Sequence, residues 1–184
     1  MATTFRKDKL KPVFPQGANL EFAALYGPEG LNQTFKSNEV LTSTGGYLVL
    51  AAAASAVAWS GVALEDGHNA AAGANNVEYC PAIPGFMFYA TALVVTTAAD
   101  YTVVATDRML AAGQEVEQSA TLLGTGKPGW YVGVGAVAGT AAAKIVSWIG
   151  DQPQNTSYNQ EARVGDINPR VLCSLLAAQT AFTV

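Results

Sequence analysis

The chain has 184 residues, half of them hydrophobic and 13% charged, with a net charge of −4 at neutral pH. That length fits one domain whose core can stand without disulfides, and that apolar content excludes a disordered chain. Alanine, glycine, threonine and valine dominate, which suits closely approaching strands better than leucine-packed helices.

Residues 1–25 read as an extended arm, with prolines at 12 and 15 and isolated apolar residues. The residue before each proline is pushed toward extended geometry, as expected of an arm lying along a surface. Residues 26–184 read as a single β domain. Gly27-Pro28-Glu29-Gly30 is a turn, and strand pieces are expected at Leu31–Phe35, Glu39–Thr42 and Tyr47–Ala52. Val57, Trp59, Val62 and Leu64 are apolar around Gly61; Glu65-Asp66-Gly67-His68-Asn69 then breaks the run. Val77–Cys80 and Phe86–Tyr89 restore it. Two apolar segments follow at Leu93–Thr97 and Tyr101–Ala105, whereas Gly113–Leu123 is ambiguous. Trp130–Val137, Lys144–Ile149 and Arg170–Leu176 read as strands, with a polar loop at Asp151–Glu161. Turn residues bounding β-branched and aromatic runs define a mostly β fold, a compact barrel or sandwich behind an extended N-terminal arm.

Charge is unevenly placed. Arg6, Lys7, Lys9 and Lys11 lie in the first eleven positions with Asp8 the only acid among them; the six basic and thirteen acidic residues beyond leave a net of −7. A basic arm on an acidic body can dock on an acidic partner or a neighbouring copy, or fray into solvent. The acidic body argues against a nucleic-acid surface. A surface so poor in charge fits contact with partner subunits. Tyr47–Leu64 is the one candidate membrane span, but its alanines, Ser55, Ser60 and Gly61 favour two strands joined near Ser55. No secretory leader is expected from the basic, proline-containing start, and Cys80 and Cys173 read as small buried residues of a reducing compartment.

Each candidate for chemistry has a simpler structural reading. Gly133, Gly135 and Ala138 fit a dinucleotide fingerprint, with Asp151 downstream. The fingerprint needs a full helix after its glycines, and only Ala136–Ala143 precedes the next strand. Gly124-Thr125-Gly126-Lys127-Pro128-Gly129 lacks the first glycine and the hydroxyl residue of a phosphate loop, and reads as a turn. His68 is the only histidine; with Glu65 and Asp66 it falls short of a zinc ligand set, and Asp66-Gly67 is ordinary turn chemistry. No catalytic residue, cofactor, metal or small-molecule substrate is expected, and the chain is read as not an enzyme.

The order of parts resembles the decoration (cement) proteins of tailed-bacteriophage heads. The likeness lies in Thr44–Val49, Gly61–Asp66, the Ala70–Asn75 connector, Val77–Tyr79 leading to Pro84–Ala90, and Asp166–Cys173. It covers about two thirds of the chain and rests on turn residues and alternation. The resemblance implies an N-terminal arm on a β-tulip-like barrel or sandwich. It further implies a homotrimer made in the host cytoplasm that binds the major capsid protein on the outer face of the head, near threefold axes. Arg6, Lys7, Lys9 and Lys11 would be the arm's contact residues, with Val13, Phe14, Leu20 and Phe22 as apolar anchors. Neither a membrane nor nucleic acid is an expected partner. The alternative is a carbohydrate-binding or adhesin-like module on the virion surface, using Trp59, Trp130, Tyr131 and Trp148.

Overall fold

The computed structural model describes residues 4, 7, 9–13, 24–51, 58–83, 86–107, 113–119, 121–125, 129–135, 141–149 and 162–176. The described residues form β1 (Lys11–Val13), β2 (Leu25–Pro28), β3 (Val40–Thr44), β4 (Tyr47–Leu50), β5 (Gly61–Ala63), β6 (Asn76–Pro81), β7 (Met87–Val94), β8 (Glu115–Ser119), β9 (Gly129–Val134), β10 (Ala143–Ile149) and β11 (Arg170–Leu175). No α-helix occurs among them. The protein is mostly β, with two sheets in a sandwich-like arrangement. One sheet runs β2-β6-β5-β3-β4; the other runs β10-β11-β7-β9-β8, with β1 also on β7.

Alternation along the strands sets which residues meet. In β11, Val171, Cys173 and Leu175 point into the shared core while Leu172 and Ser174 are half-buried, the period-2 pattern of a strand with one covered face. Phe88, Ala90 and Ala92 of β7 enter the same core. From the five-stranded sheet, the register row Val40, Val62 and Cys80 meets them. Trp59 packs on Phe88 with ring centroids 5.4 Å apart. All six residues of β9 are buried, and the strand runs parallel to β7, as expected where both faces of a sheet are covered.

Both sheets curl until their edges meet. In the five-stranded sheet, Glu29 bridges Leu48, and the Gly30 amide donates to the Leu48 carbonyl at 2.8 Å. The curled interior holds a second cluster of Phe35, Leu41, Leu48, Ala63, Val77 and Tyr79. In the six-stranded sheet, the Gln114 amide donates to Ala143 at 2.6 Å, linking the start of β8 to the start of β10. Meeting edges leave fewer unpaired amides to template aggregation. Close approach explains Gly61: a Cβ there would lie 2.3 Å from the Cys80 carbonyl oxygen.

Several expected elements shift. Leu31–Phe35 is not a strand: Asn32 has φ of 53°, and its amide donates to Ala70 at 2.8 Å. This turn carries Phe35 into the second cluster, a tertiary gain that overrides local strand propensity. Tyr101–Ala105 makes one isolated bridge, Thr102 to Ile167, rather than a full strand. Within Gly113–Leu123 the structure places β8. Tyr47–Leu64 holds β4 and β5, and the expected turn near Ser55 lies outside the described residues. The Asp151–Glu161 loop also lies outside them.

Candidate interaction surface

The described arm residues, 4, 7 and 9–13, lie across the domain as a strap. Thr4 bridges Ile167 on one side of the molecule. Lys7 Nζ forms a 3.0 Å ion pair with Asp100, whose side chain is 61% exposed. Lys9 Nζ donates to the Ser37 carbonyl at 3.5 Å, on the five-stranded side. Leu10 is fully buried in the shared core. Lys11, Pro12 and Val13 then pair with Tyr89, Phe88 and Met87 in β1. Of the proposed arm contacts, Lys7 and Lys9 therefore face their own chain and Lys11 is exposed. Arg6, Phe14, Leu20 and Phe22 lie outside the described residues. Leu10 carries most of the hold. Burying a leucine contributes about 2–3 kcal/mol; an exposed ion pair contributes at most about 1 kcal/mol.

Three carboxylates lie near the strap's lysines. The Asn168 amide, and next the Lys7 ammonium, hold the Asp100 carboxyl below its usual range. The Lys36 ammonium and then the Ser37 amide do the same for Asp66. Burial pushes Glu39 up, opposed by the Lys36 amide and by the nearby Lys9 charge. The acidic body thus attracts the basic strap of its own chain.

The polar loop after β5 holds the fold. Glu65 Oε1 accepts the Glu78 amide at 2.6 Å, and Asp66 accepts the Ser37 amide at 2.9 Å and Lys36 Nζ at 2.8 Å. His68 meets Glu29, a residue the sequence assigns only to a turn. The His68 amide donates to Glu29 Oε1 at 2.8 Å, and its Nδ1 lies 2.7 Å from Glu29 Oε2. As the Nδ1–H tautomer or as imidazolium, the ring donates to that carboxylate. The Glu29 side chain is 2% exposed, so this buried acid has its oxygens satisfied by a residue 39 positions away. Among the described residues no group of three His, Cys, Asp or Glu side chains is placed to hold a metal.

The remaining candidates are packing features. A Cβ on Gly133 would lie 2.9 Å from Val95 Cγ2, so this glycine admits a neighbouring strand end. Only 136–140 separate the described end of the fingerprint from Ala141 and Ala142, which are not helical. Five residues make less than a turn and a half of helix, too little for the pyrophosphate site of that motif. Thr121–Gly124 is a turn, and 126–128 lie outside the described residues. Cys80 and Cys173 are free and buried; burial pushes the Cys80 thiol up to about 11 and raises Cys173 as well.

Trp59, Trp130, Tyr131 and Trp148 are buried, so none offers a ring face to a sugar. The exposed large apolar side chains are elsewhere. Tyr26, 70% exposed, and Tyr47 lie with Pro28 on the outer side of the β2–β4 closure. Val104 and Val164 stand on two loops joined by bonds from the Val103 amide to Asp166 and from the Gly165 amide to Val103. Val146 is pushed outward at the register shift between Ile145 and Ser147. Among the described residues no helix is long and apolar enough to cross a membrane. No protein-family model, curated protein or solved structure matches the chain.

Proposed function

We propose that the protein is a non-enzymatic structural component of a virion that binds the outer surface of a tailed-phage capsid and braces the head as a homotrimer near threefold axes. The observation that carries this reading is the use of the polar residues. Glu29, Glu65, Asp66 and His68 hold a loop to the five-stranded sheet, and Gly133 serves packing. Among the described residues, what remains for function is surface: exposed apolar residues on short strands and loops, and a basic strap on an acidic body. The segments that resemble decoration proteins coincide with strands and their turns, at β3–β4, β5, β6, β7 and β11.

The test is head stability. Heads of the phage that encodes this chain, prepared with and without the purified protein, are heated while DNA release is followed. Bound protein raises the release temperature, whereas equal release in both preparations rejects the proposal. A second reading, a glycan-binding module on the virion surface, is favoured by exposed Tyr26 and Tyr47, since aromatic faces and polar neighbours are what sugars stack on. Loss of glycan capture in a Tyr26→Ala, Tyr47→Ala variant that still binds heads would support it.

A further inference from the structure

The geometry points to a covalent modification: an isopeptide bond between the Lys7 amine and the Asn168 side-chain amide, formed within the folded chain with Asp100 as proton relay. The three groups already meet at one atom. Lys7 Nζ lies 3.0 Å from Asp100 Oδ1, and Asn168 Nδ2 donates to that same oxygen at 2.9 Å. The other end of the Asn168 amide is polarised, because the Tyr101 amide donates to its Oδ1 at 3.1 Å. A carboxylate at one end and a backbone N–H at the other fix which end of this side chain is nitrogen. Asn168 is buried at φ of 55°, and its own backbone amide donates to the Tyr101 carbonyl at 2.8 Å. The electrophile is therefore held still, while the nucleophile sits on a flexible four-carbon stem that can carry Nζ over Cγ.

In the step, Nζ loses one proton to solvent and attacks Cγ, and the Tyr101 amide stabilises the charge that develops on Oδ1. Asp100 takes a second proton from Nζ and hands it to Nδ2. The Cγ–Nδ2 bond breaks, ammonia leaves and the carboxylate is restored, with no oxidant or other reactant consumed. One Nζ–Cγ bond replaces one Cγ–Nδ2 bond, and the chain loses one ammonia and one positive charge. Asn168 and then Lys7 hold the Asp100 carboxyl below its usual range, so the relay is a base at neutral pH. The usual competing fate of an asparagine is closed here. Loss of ammonia through a succinimide needs the backbone N–H of the next residue, and Pro169 has none. The ion pair keeps the amine charged and Asp100 is exposed, so the reaction is slow and quickens as pH rises, since only the uncharged amine attacks. Once formed, the bond encloses nearly the whole chain between residues 7 and 168, and it restricts the unfolded state as a long disulfide loop does.

The inference is independent of head binding. It is tested by ageing the purified full-length protein for days near pH 7 and near pH 9, digesting it and analysing the peptides by mass spectrometry. The expected product is a branched peptide joining Lys7 to Asn168, lighter than its two parts by one ammonia and more abundant after the higher pH. Lys7→Arg keeps the charge but removes the amine, and should abolish the product. Asn168→Asp keeps the acceptor for Tyr101 and tolerates the left-handed backbone, and should abolish the loss of ammonia. Asp100→Ala should slow formation by roughly tenfold or more. Thermal melting shows that each variant is folded, and Lys7→Arg, a change on the strap, carries the test if Asn168→Asp does not fold. A branch lighter by one water would place the bond at Asp100 and overturn the assignment to Asn168. Equal yield in folded Asp100→Ala would overturn the relay. If both unbranched peptides are recovered in full at either pH, with no branched product, the proposal is overturned outright.

Discussion

Removing the Glu29 carboxylate should loosen the loop after β5 from the five-stranded sheet. In Glu29→Ala, the His68 amide and its Nδ1 lose the acceptors now at 2.8 and 2.7 Å. A buried donor left without a partner costs about 1–3 kcal/mol. His68 is partly exposed and water recovers some of that, while removal of a buried charge returns its desolvation cost. The balance is a loss of about 2–3 kcal/mol. Glu29→Gln keeps an oxygen for the His68 amide, and its amide group can donate to the other ring tautomer, so it should cost only about 1 kcal/mol. Urea unfolding followed by tryptophan fluorescence reads both, as a lower midpoint at unchanged slope. Heating should show a fall of roughly 4–12 °C for Glu29→Ala, given about 2–4 °C per kcal/mol in a chain of this size. Hydrogen exchange should quicken first at the His68 and Gly30 amides, the second of which closes β2 onto β4. A Glu29→Ala protein within 0.5 kcal/mol of the parent, with unchanged exchange at those amides, would show that the pair does not hold the loop.

Gly61→Ala should destabilise by about 2–4 kcal/mol, because its Cβ would collide with the Cys80 carbonyl and the Tyr79 ring; thermal melting checks this. The folded protein should leave Cys80 and Cys173 unmodified by a thiol reagent at pH 8, since burial raises both thiols, and label both once unfolded. Asp100 has a depressed carboxyl, so its contribution is present above the unfolded value and is lost as pH falls through the folded one. Lys7→Ala should therefore shrink the loss of stability below about pH 4. Glu39 works in the opposite sense: its raised carboxyl lowers stability as pH rises from the unfolded value through the folded one. Glu39→Gln should flatten that part of the pH profile in urea titrations.

Strands with one covered face were legible because turn residues bound alternating runs, as at Val77–Cys80, Phe86–Tyr89 and Arg170–Leu176. Contacts between distant residues were not. Glu29 sits between Pro28 and Gly30 and reads as part of a turn; its partner His68 lies 39 positions on, and only the fold joins them. The strap was readable as extended and basic, but Leu10, a single apolar residue between lysines, carries no periodic signal and nonetheless fills the core. Pro12 made β1 hard to foresee, since proline is confined to strand edges, the position β1 occupies. Leu31–Phe35 misled for a related reason: its alternation comes from one buried phenylalanine, and Asn32 adopts a left-handed turn. The edge closures rest on isolated bridges at Glu29 and Gln114, too short to leave a pattern in the sequence.

The proposed capsid binding is tested most directly by electron cryomicroscopy of expanded tailed-phage heads, taken from the phage that the proposal implies as the source of this chain and imaged before and after addition of the purified protein. If the protein braces the head, saturating amounts add knobs of density on the outer surface around the threefold axes, in sets of three. Heads that show no added density at saturating protein would contradict a role on the capsid surface.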